Sequence, residues 1–138
     1  MAVAAEVEGQ ARPEWLWKGL RTKLIDGFTF TLPDTPQNQA EYPSPKTQRP
    51  GVGLPIARAT AILSLATACA LDLAVGPYSG KETGETALLR QIMGSLHPGD
   101  VAVVDRYYCS FLMIALLLGR SVQVCARMHQ KRHVDFRR

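Results

Sequence analysis

Val101-Ala102-Val103-Val104-Asp105-Arg106-Tyr107-Tyr108 decides the reading of the fold. Four apolar residues, three of them valine, follow a turn at His97-Pro98-Gly99-Asp100. A short β-branched run of this kind, bounded by turn residues, predicts a strand buried on both faces inside a mostly parallel sheet. It ends on an acid, and a carboxylate beside a buried strand is costly unless something neutralises it. Lys23-Leu24-Ile25-Asp26-Gly27 repeats the form: a short apolar run that ends on an acid. Were the two strands neighbours, ~4.8 Å apart, Asp26 and Asp105 would converge. Two converging carboxylates repel and favour a divalent cation between them.

The surrounding chain suits such a sheet. Its 138 residues allow one domain with a core of its own. Apolar residues at 46% and charged residues at 20% describe a globular protein. The longest apolar run, Phe111 to Leu118, has eight residues. A membrane span needs ~20, so a buried segment is expected and no membrane association. The N-terminus has no basic region and carries Glu6, unlike a signal peptide. Cys69, Cys109 and Cys125 are odd in number without a CxxC spacing, so free thiols in the cytoplasm are expected.

Residues 1–20 are expected to form a loose arm and 21–138 the domain. Thr22 to Thr31 reads as the first strand, with Leu24 and Ile25 on opposite faces and Phe28 and Phe30 on the same one. Gly27 leaves room beside Asp26 for a ligand or another backbone. Six of the nine prolines fall in 33–55, which predicts a long loop without regular structure. Arg58 to Val75 is open between helix and strands on periodicity. The Gly76-Pro77 stop and the missing N-cap favour two antiparallel strands, about 58–67 and 71–78, with a tight turn near Cys69-Ala70. Thr83 to Leu96 reads as a helix with Thr83 as N-cap and Leu88, Leu89, Ile92, Met93 and Leu96 on one face. Ser110 caps a second helix through Leu118, apolar all round and so expected to be deeply buried. Val122 to Ala126 alternates like a last strand. The predicted order is β-β-β-α-β-α-β, an α/β fold with a mixed sheet.

The net charge of +4 is unevenly placed. Residues 1–120 balance eleven Lys/Arg against eleven Asp/Glu. The surplus sits at the C-terminal end, where Arg127, Lys131, Arg132, Arg137 and Arg138 face Asp135 alone. A basic cluster has two readings, a polyanion-binding end or a solvated segment. Other motifs are weaker. Gly80-Lys81 lacks the spacing and the Ser/Thr of a P-loop. His129 and His133 have zinc-like spacing without a third ligand. Asp105 has a plain alternative as a strand-end acid paired with Arg106 or capping the next helix, and Asp26-Gly27 as ordinary turn chemistry.

In Leu24-Ile25-Asp26-Gly27, Pro33-Asp34-Thr35-Pro36-Gln37-Asn38-Gln39, Gln48-Arg49-Pro50-Gly51, Gly76-Pro77-Tyr78, Gly84-Glu85-Thr86, Pro98-Gly99-Asp100 and Val104-Asp105-Arg106-Tyr107-Tyr108, the chain resembles the catalytic core of the DDE transposases of bacterial insertion sequences. The resemblance covers about 15–138. It implies an RNase H-like sheet and DNA transposition, with Asp26 and Asp105 as the first two catalytic acids and ligands of Mg²⁺ or Mn²⁺. It also implies two-metal phosphoryl transfer, one ion activating the attacking oxygen and the other stabilising the leaving one. DNA at mobile-element ends is the implied partner, bound through the basic end, with self-association or association with a full-length transposase. The chain departs from the family in two respects. The third acid is a Glu far downstream in a Tyr-Arg-Glu-Lys helix, after a β-rich insertion, and beyond Asp105 this chain has only Asp135. The family's N-terminal DNA-binding region is also missing. The resemblance is therefore to a truncated middle fragment, either a catalytic core or a non-catalytic DNA-binding remnant.

Overall fold

The computed structural model describes residues 2–45 and 53–128. Five strands form one mixed sheet: β1 (Arg21–Thr31), β2 (Ile56–Ser64), β3 (Ala70–Pro77), β4 (Asp100–Val104) and β5 (Gln123–Ala126). Their order across the sheet is β3-β2-β1-β4-β5. β1 pairs antiparallel with β2, and β2 antiparallel with β3. β1 pairs parallel with β4, and β4 parallel with β5. The alternating β and α segments of the second half thus give a parallel portion, and the hairpin gives the antiparallel edge.

The opening stretch is strand as read, with its start one residue earlier. Asp100 is buried, and its carboxylate accepts from Arg21 Nε and from the His97 N–H, both at 2.8 Å. Val101, Ala102 and Val104 are buried between β1 and β5. The 58–78 segment is a hairpin, not a helix; its strands run at 56–64 and 70–77, with a wider turn than expected. Ala68 sits in that turn at φ +55°.

Two helices cover one face of the sheet. α3 (Glu85–Ile92) buries Ala87, Leu88, Leu89 and Ile92. Its N-cap is Gly84 rather than Thr83, and a 3₁₀ turn, Met93–Ser95, replaces the expected continuation to Leu96. The Thr83 hydroxyl instead donates to the Gly80 carbonyl, closing the preceding turn. α4 (Phe111–Leu118) begins as expected at Ser110, whose hydroxyl accepts from the Met113 N–H at 3.2 Å. The expectation of deep burial for α4 fails: Met113 and Leu117 are buried, but Phe111, Leu112 and Leu118 are exposed. A helix lying on a sheet buries one stripe, and nothing among the described residues covers the other.

Two further helices correct the expectation of irregular segments. α1 (Ala2–Gly9) lies in the arm expected to be loose. It is fastened by Glu8, whose carboxylate pairs with Lys23 and accepts from the Thr67 hydroxyl at 3.2 Å. The Lys23 side chain is 3% exposed and that of Glu8 14%. Burial raises the Glu8 carboxyl pKa. Hydrogen bonds from Lys23, Ser64 and Thr67, with the Lys23 charge, outweigh it and hold the pKa below the ordinary value. α2 (Pro36–Glu41) occupies part of the Pro-rich loop. Proline at the first helical position is compatible with helix, because its missing N–H is one the helix leaves unpaired anyway. Thr35 caps it, accepting from the Asn38 N–H.

The core joins both helices to the inner sheet face through Ile25, Ile62, Ala74, Ala102 and Val104. All three cysteines are free thiols. Among the described residues no helix is long and apolar enough to cross a membrane.

Candidate active site

The parallel ladder sets the site. Ile25 pairs with Val104, and Val104 with Ala126, so the three strands are in step at that level. The next residue on each is Asp26, Asp105 and Arg127. Two acids and a cation therefore follow aligned positions on three neighbouring strands, with backbones ~4.8 Å apart. In open α/β sheets ligands bind beyond the carboxyl ends of parallel strands, which is where β4 and β5 stop here.

Ile25 and Val104 are buried under the helices, whereas Asp26 and Asp105 are exposed. Alternation along β1 puts Asp26 on the uncovered face. Each acid uses one oxygen locally. Asp26 Oδ1 accepts from the Gly27 N–H at 2.8 Å, and Asp105 Oδ1 from the Tyr107 N–H at 2.7 Å. Among the described residues neither makes a salt bridge, so the pairing of Asp105 with Arg106 does not form. Nor does Asp105 cap α4, a role Ser110 takes. Asp26 lies inside an eleven-residue strand, which removes the turn reading as well.

Gly27 is needed for close approach, as expected, but the neighbour is a side chain. A Cβ at Gly27 would overlap the carboxylate end of Glu85, the first residue of α3. The Thr60 hydroxyl, on the residue paired with Gly27, donates to the Glu85 carbonyl at 3.3 Å. Tyr108 packs into the same region and is buried, and among the described residues its hydroxyl has no partner in good hydrogen-bond geometry. Burial above all, then the charges of Glu85 and Asp26, hold its phenol well above the usual tyrosine range, against the opposing Thr60 hydroxyl. Tyr107 stands edge-on to Tyr108, ring centres 5.8 Å apart. Arg58 stacks over Tyr78 at 4.8 Å and donates to the Thr83 carbonyl at 3.3 Å, tying down the segment before α3. Glu85 and Tyr108 stand in the motifs that resemble the family, but apart from the room left at Gly27 nothing in the sequence places them beside the acid-bearing strand.

Among the described residues no three His, Cys, Asp or Glu side chains are grouped to hold a metal ion. Of the basic cluster, Arg127 is exposed just past β5. Lys131, Arg132, Arg137 and Arg138 lie outside the described residues, as do His129 and His133. A cavity of about 520 Å³ lies at the other end of β1, lined by Glu8, Arg21, Lys23, His97 and Asp100 among others. Both of its acids are already paired with its Lys and Arg, and it contains neither Asp26 nor Asp105.

The chain is similar to a protein of Escherichia coli (strain K12) described as "Putative transposase InsZ", with 26% identity over 102 residues. The match covers 72% of this chain and 33% of that protein, so the chain spans about a third of the relative's length. No family model matches the chain, and no solved structure matches it. The relationship is transposase-like.

Proposed function

We propose that the chain is the acid-bearing core of a DDE-type transposase with an RNase H-like sheet, and that it acts on DNA at the ends of a mobile element. The observation that carries this reading is the alignment of Ile25, Val104 and Ala126, which puts Asp26, Asp105 and Arg127 in successive strand positions. The strand order, with an antiparallel hairpin on one side of β1 and parallel strands on the other, supports it. So does the distant transposase relative.

The donor set fits one hard divalent cation. Asp26 and Asp105 supply carboxylate oxygens, each acid has an oxygen not engaged with the backbone, and among the described residues neither is neutralised by an ion pair. Mg²⁺ or Mn²⁺ bound there would supply Lewis-acid stabilisation of a phosphoryl oxygen. Arg127, one strand further on, is placed to contact a backbone phosphate, and the basic residues after it extend that contact. The Glu85–Gly27 contact and the buried Tyr108 hold β1 and the 105–109 segment against α3, which fixes the spacing of the two acids.

A second reading is favoured because, among the described residues, no third His, Cys, Asp or Glu side chain is grouped with the pair to hold a metal ion. In it the chain binds DNA and a metal ion without cutting, alone or together with an intact transposase. One set of measurements separates these: the purified chain assayed with Mg²⁺ and Mn²⁺ on DNA carrying candidate element ends, beside Asp26→Ala, Asp105→Ala and Arg127→Ala. Metal binding lost in both acid variants is expected. DNA binding should ignore sequence and fall steeply with salt, with a slope reduced by about 1 in Arg127→Ala. Little strand transfer is expected from two acids alone. Metal-dependent cleavage abolished by Asp105→Ala would eliminate the non-catalytic reading, and metal binding unchanged in both acid variants would eliminate the proposed site.

A further inference from the structure

We infer that the corner formed by residues 12–20 binds single-stranded DNA, with Trp15 and Trp17 stacking on unpaired bases and Arg12 and Lys18 meeting phosphates. The inference rests on the transposase reading only in taking DNA as the nucleic acid. Both tryptophans of the chain lie here, and both stand outside the core, Trp15 47% and Trp17 54% exposed. Leu16 between them and Leu20 just after are partly buried, so the leucines turn in and the indoles turn out. An indole is among the largest apolar groups a chain can bury, and two left exposed within three residues form a patch that suits a partner.

Two turns hold the rings in place. Pro13–Trp15 is a 3₁₀ turn, in which the Trp15 N–H donates to the Arg12 carbonyl at 2.9 Å and the Leu16 N–H to the Pro13 carbonyl at 3.1 Å. Trp17 and Leu20 then bond to each other in both directions, at 2.9 Å each, around Lys18 at φ +51° and Gly19 at φ +79°. Positive φ at both central residues is the I′ hairpin turn. A lysine in it carries a backbone cost that glycine would not. What the lysine adds is charge: its ammonium stands 5.3 Å from the Trp17 ring centre. The Arg12 guanidinium stands 5.1 Å from that of Trp15. Each exposed ring thus has its own cation. Glu14 is the one acid between residues 12 and 21, and its pairing with Arg12 at 4.0 Å is exposed on both sides, where water competes with it.

The pairing of ring and cation selects the partner. A protein surface laid over the corner would strip water from Arg12 and Lys18, and lysine is depleted at such interfaces. A nucleic-acid strand alternates flat bases with phosphates, so one nucleotide meets a ring and a cation together. Every base has a π-face, so stacking of this kind tolerates any sequence. In a duplex those faces are covered by neighbouring bases, which makes the partner an unpaired stretch. Rings already fixed by turns lose little freedom on binding. The corner leads into β1 at Arg21, roughly 17 Å of strand away from Asp26, and is therefore separate from the acid pair.

Because both tryptophans of the chain stand at this corner, their fluorescence reports on it alone. The test titrates the full 138-residue chain with a labelled oligothymidylate of about 12 nucleotides, and with a duplex of the same length, reading anisotropy and tryptophan emission together. The single strand should quench the emission saturably, with the midpoint seen by anisotropy, and the duplex should quench it little. Trp15→Ala and Trp17→Ala should each weaken single-strand binding about tenfold, and phenylalanine at either position should restore most of it, because the ring carries the stacking. Lys18→Gly keeps the turn, since glycine suits φ +51°, and should reduce the salt slope by about 0.7. Each substitution alters an exposed side chain, so the melting curve of the parent is expected throughout. Single-strand binding that leaves the emission unchanged, or that ignores both alanine substitutions, overturns the inference, as does a duplex that quenches equally. So does a chain that is a stable dimer by sedimentation and a monomer in Trp17→Ala, since the rings then belong to a contact between copies. Asp26→Ala and Asp105→Ala read the metal site and should leave the tryptophan signal as it is, so either reading can fail without the other.

Discussion

Glu8→Ala is expected to destabilise the protein far more than Lys23→Met, although the two residues form one pair. Both side chains are largely withdrawn from water, Lys23 more than Glu8. Removing one partner of a buried pair costs about 3–5 kcal/mol, because the other charge is left without compensation. Glu8→Ala also deletes the acceptor of the Thr67 hydroxyl. The cavity lined by Glu8 and Lys23 gives water a path to the ammonium once Glu8 is shortened, which puts the cost near the lower bound. About 3 kcal/mol in a domain of this size lowers the melting temperature by roughly 10 °C. In Lys23→Met the methionine keeps most of the buried volume. The carboxylate left behind belongs to a terminal helix and is the more exposed partner, so the cost should stay under ~1.5 kcal/mol. Urea and thermal unfolding followed by circular dichroism measure both. A Glu8→Ala cost below 1 kcal/mol, as for exposed ion pairs, would refute the claim that α1 is fastened by a buried charge pair, and equal costs would refute the asymmetry between the partners.

The same pair predicts a pH dependence. The folded pKa of Glu8 is depressed, so its contribution is complete above the unfolded carboxylate value and is lost as pH falls through the folded one. Unfolding midpoints taken from pH 6 down to about 3 should fall less in Glu8→Gln than in the parent. Tyr108→Phe removes a buried hydroxyl that has no well-aligned partner among the described residues and is expected to be neutral or stabilising by up to about 1 kcal/mol; a loss above 1 kcal/mol on urea unfolding would show that the hydroxyl is bonded. Ser110→Ala removes the α4 cap and should cost about 1 kcal/mol, whereas Ser110→Asp should restore most of it.

Where the sequence and the fold agree, the signals were local. Val101 to Val104 and Leu24-Ile25 are short β-branched or apolar runs next to turns, and Ser110 stands before an apolar octet, so each carries its own structural instruction. The pairing of β1 with β4 was inferred from two similar endings, and the register supports it. What could not be read depends on contacts between distant residues. The apolar face of α1 is weak, and its position rests on a carboxylate reaching Lys23, fifteen residues away. Glu85 reaches Gly27 across 58 residues of chain, which no periodicity records. For α4, composition suggested full burial, but burial also depends on whether a second layer exists, and that is a property of the whole assembly. The Pro-rich loop misled in the other direction. Pro36 forbids a helix running through it yet suits one that starts there.

Arg21 and Asp100 pair at the start of β1 and β4, and Asp26 and Asp105 come five residues later on each strand. That equal count makes the Arg21–Asp100 clamp a gauge for a pair of acids it never touches, roughly 17 Å away along the strands. Because side chains alternate with a period of two, sliding β4 by a single residue would turn Asp105 toward the helices and leave Asp26 facing nothing. Asp100 is held on both sides, by Arg21 and by the His97 N–H, against such a slip. A substitution such as Asp100→Asn or Arg21→Ala would then disturb the proposed acid pair at the far end of the sheet while both carboxylates stayed intact. In a screen for the proposed metal binding such variants would be mistaken for losses of a ligand, and only the register of the strands would tell them apart.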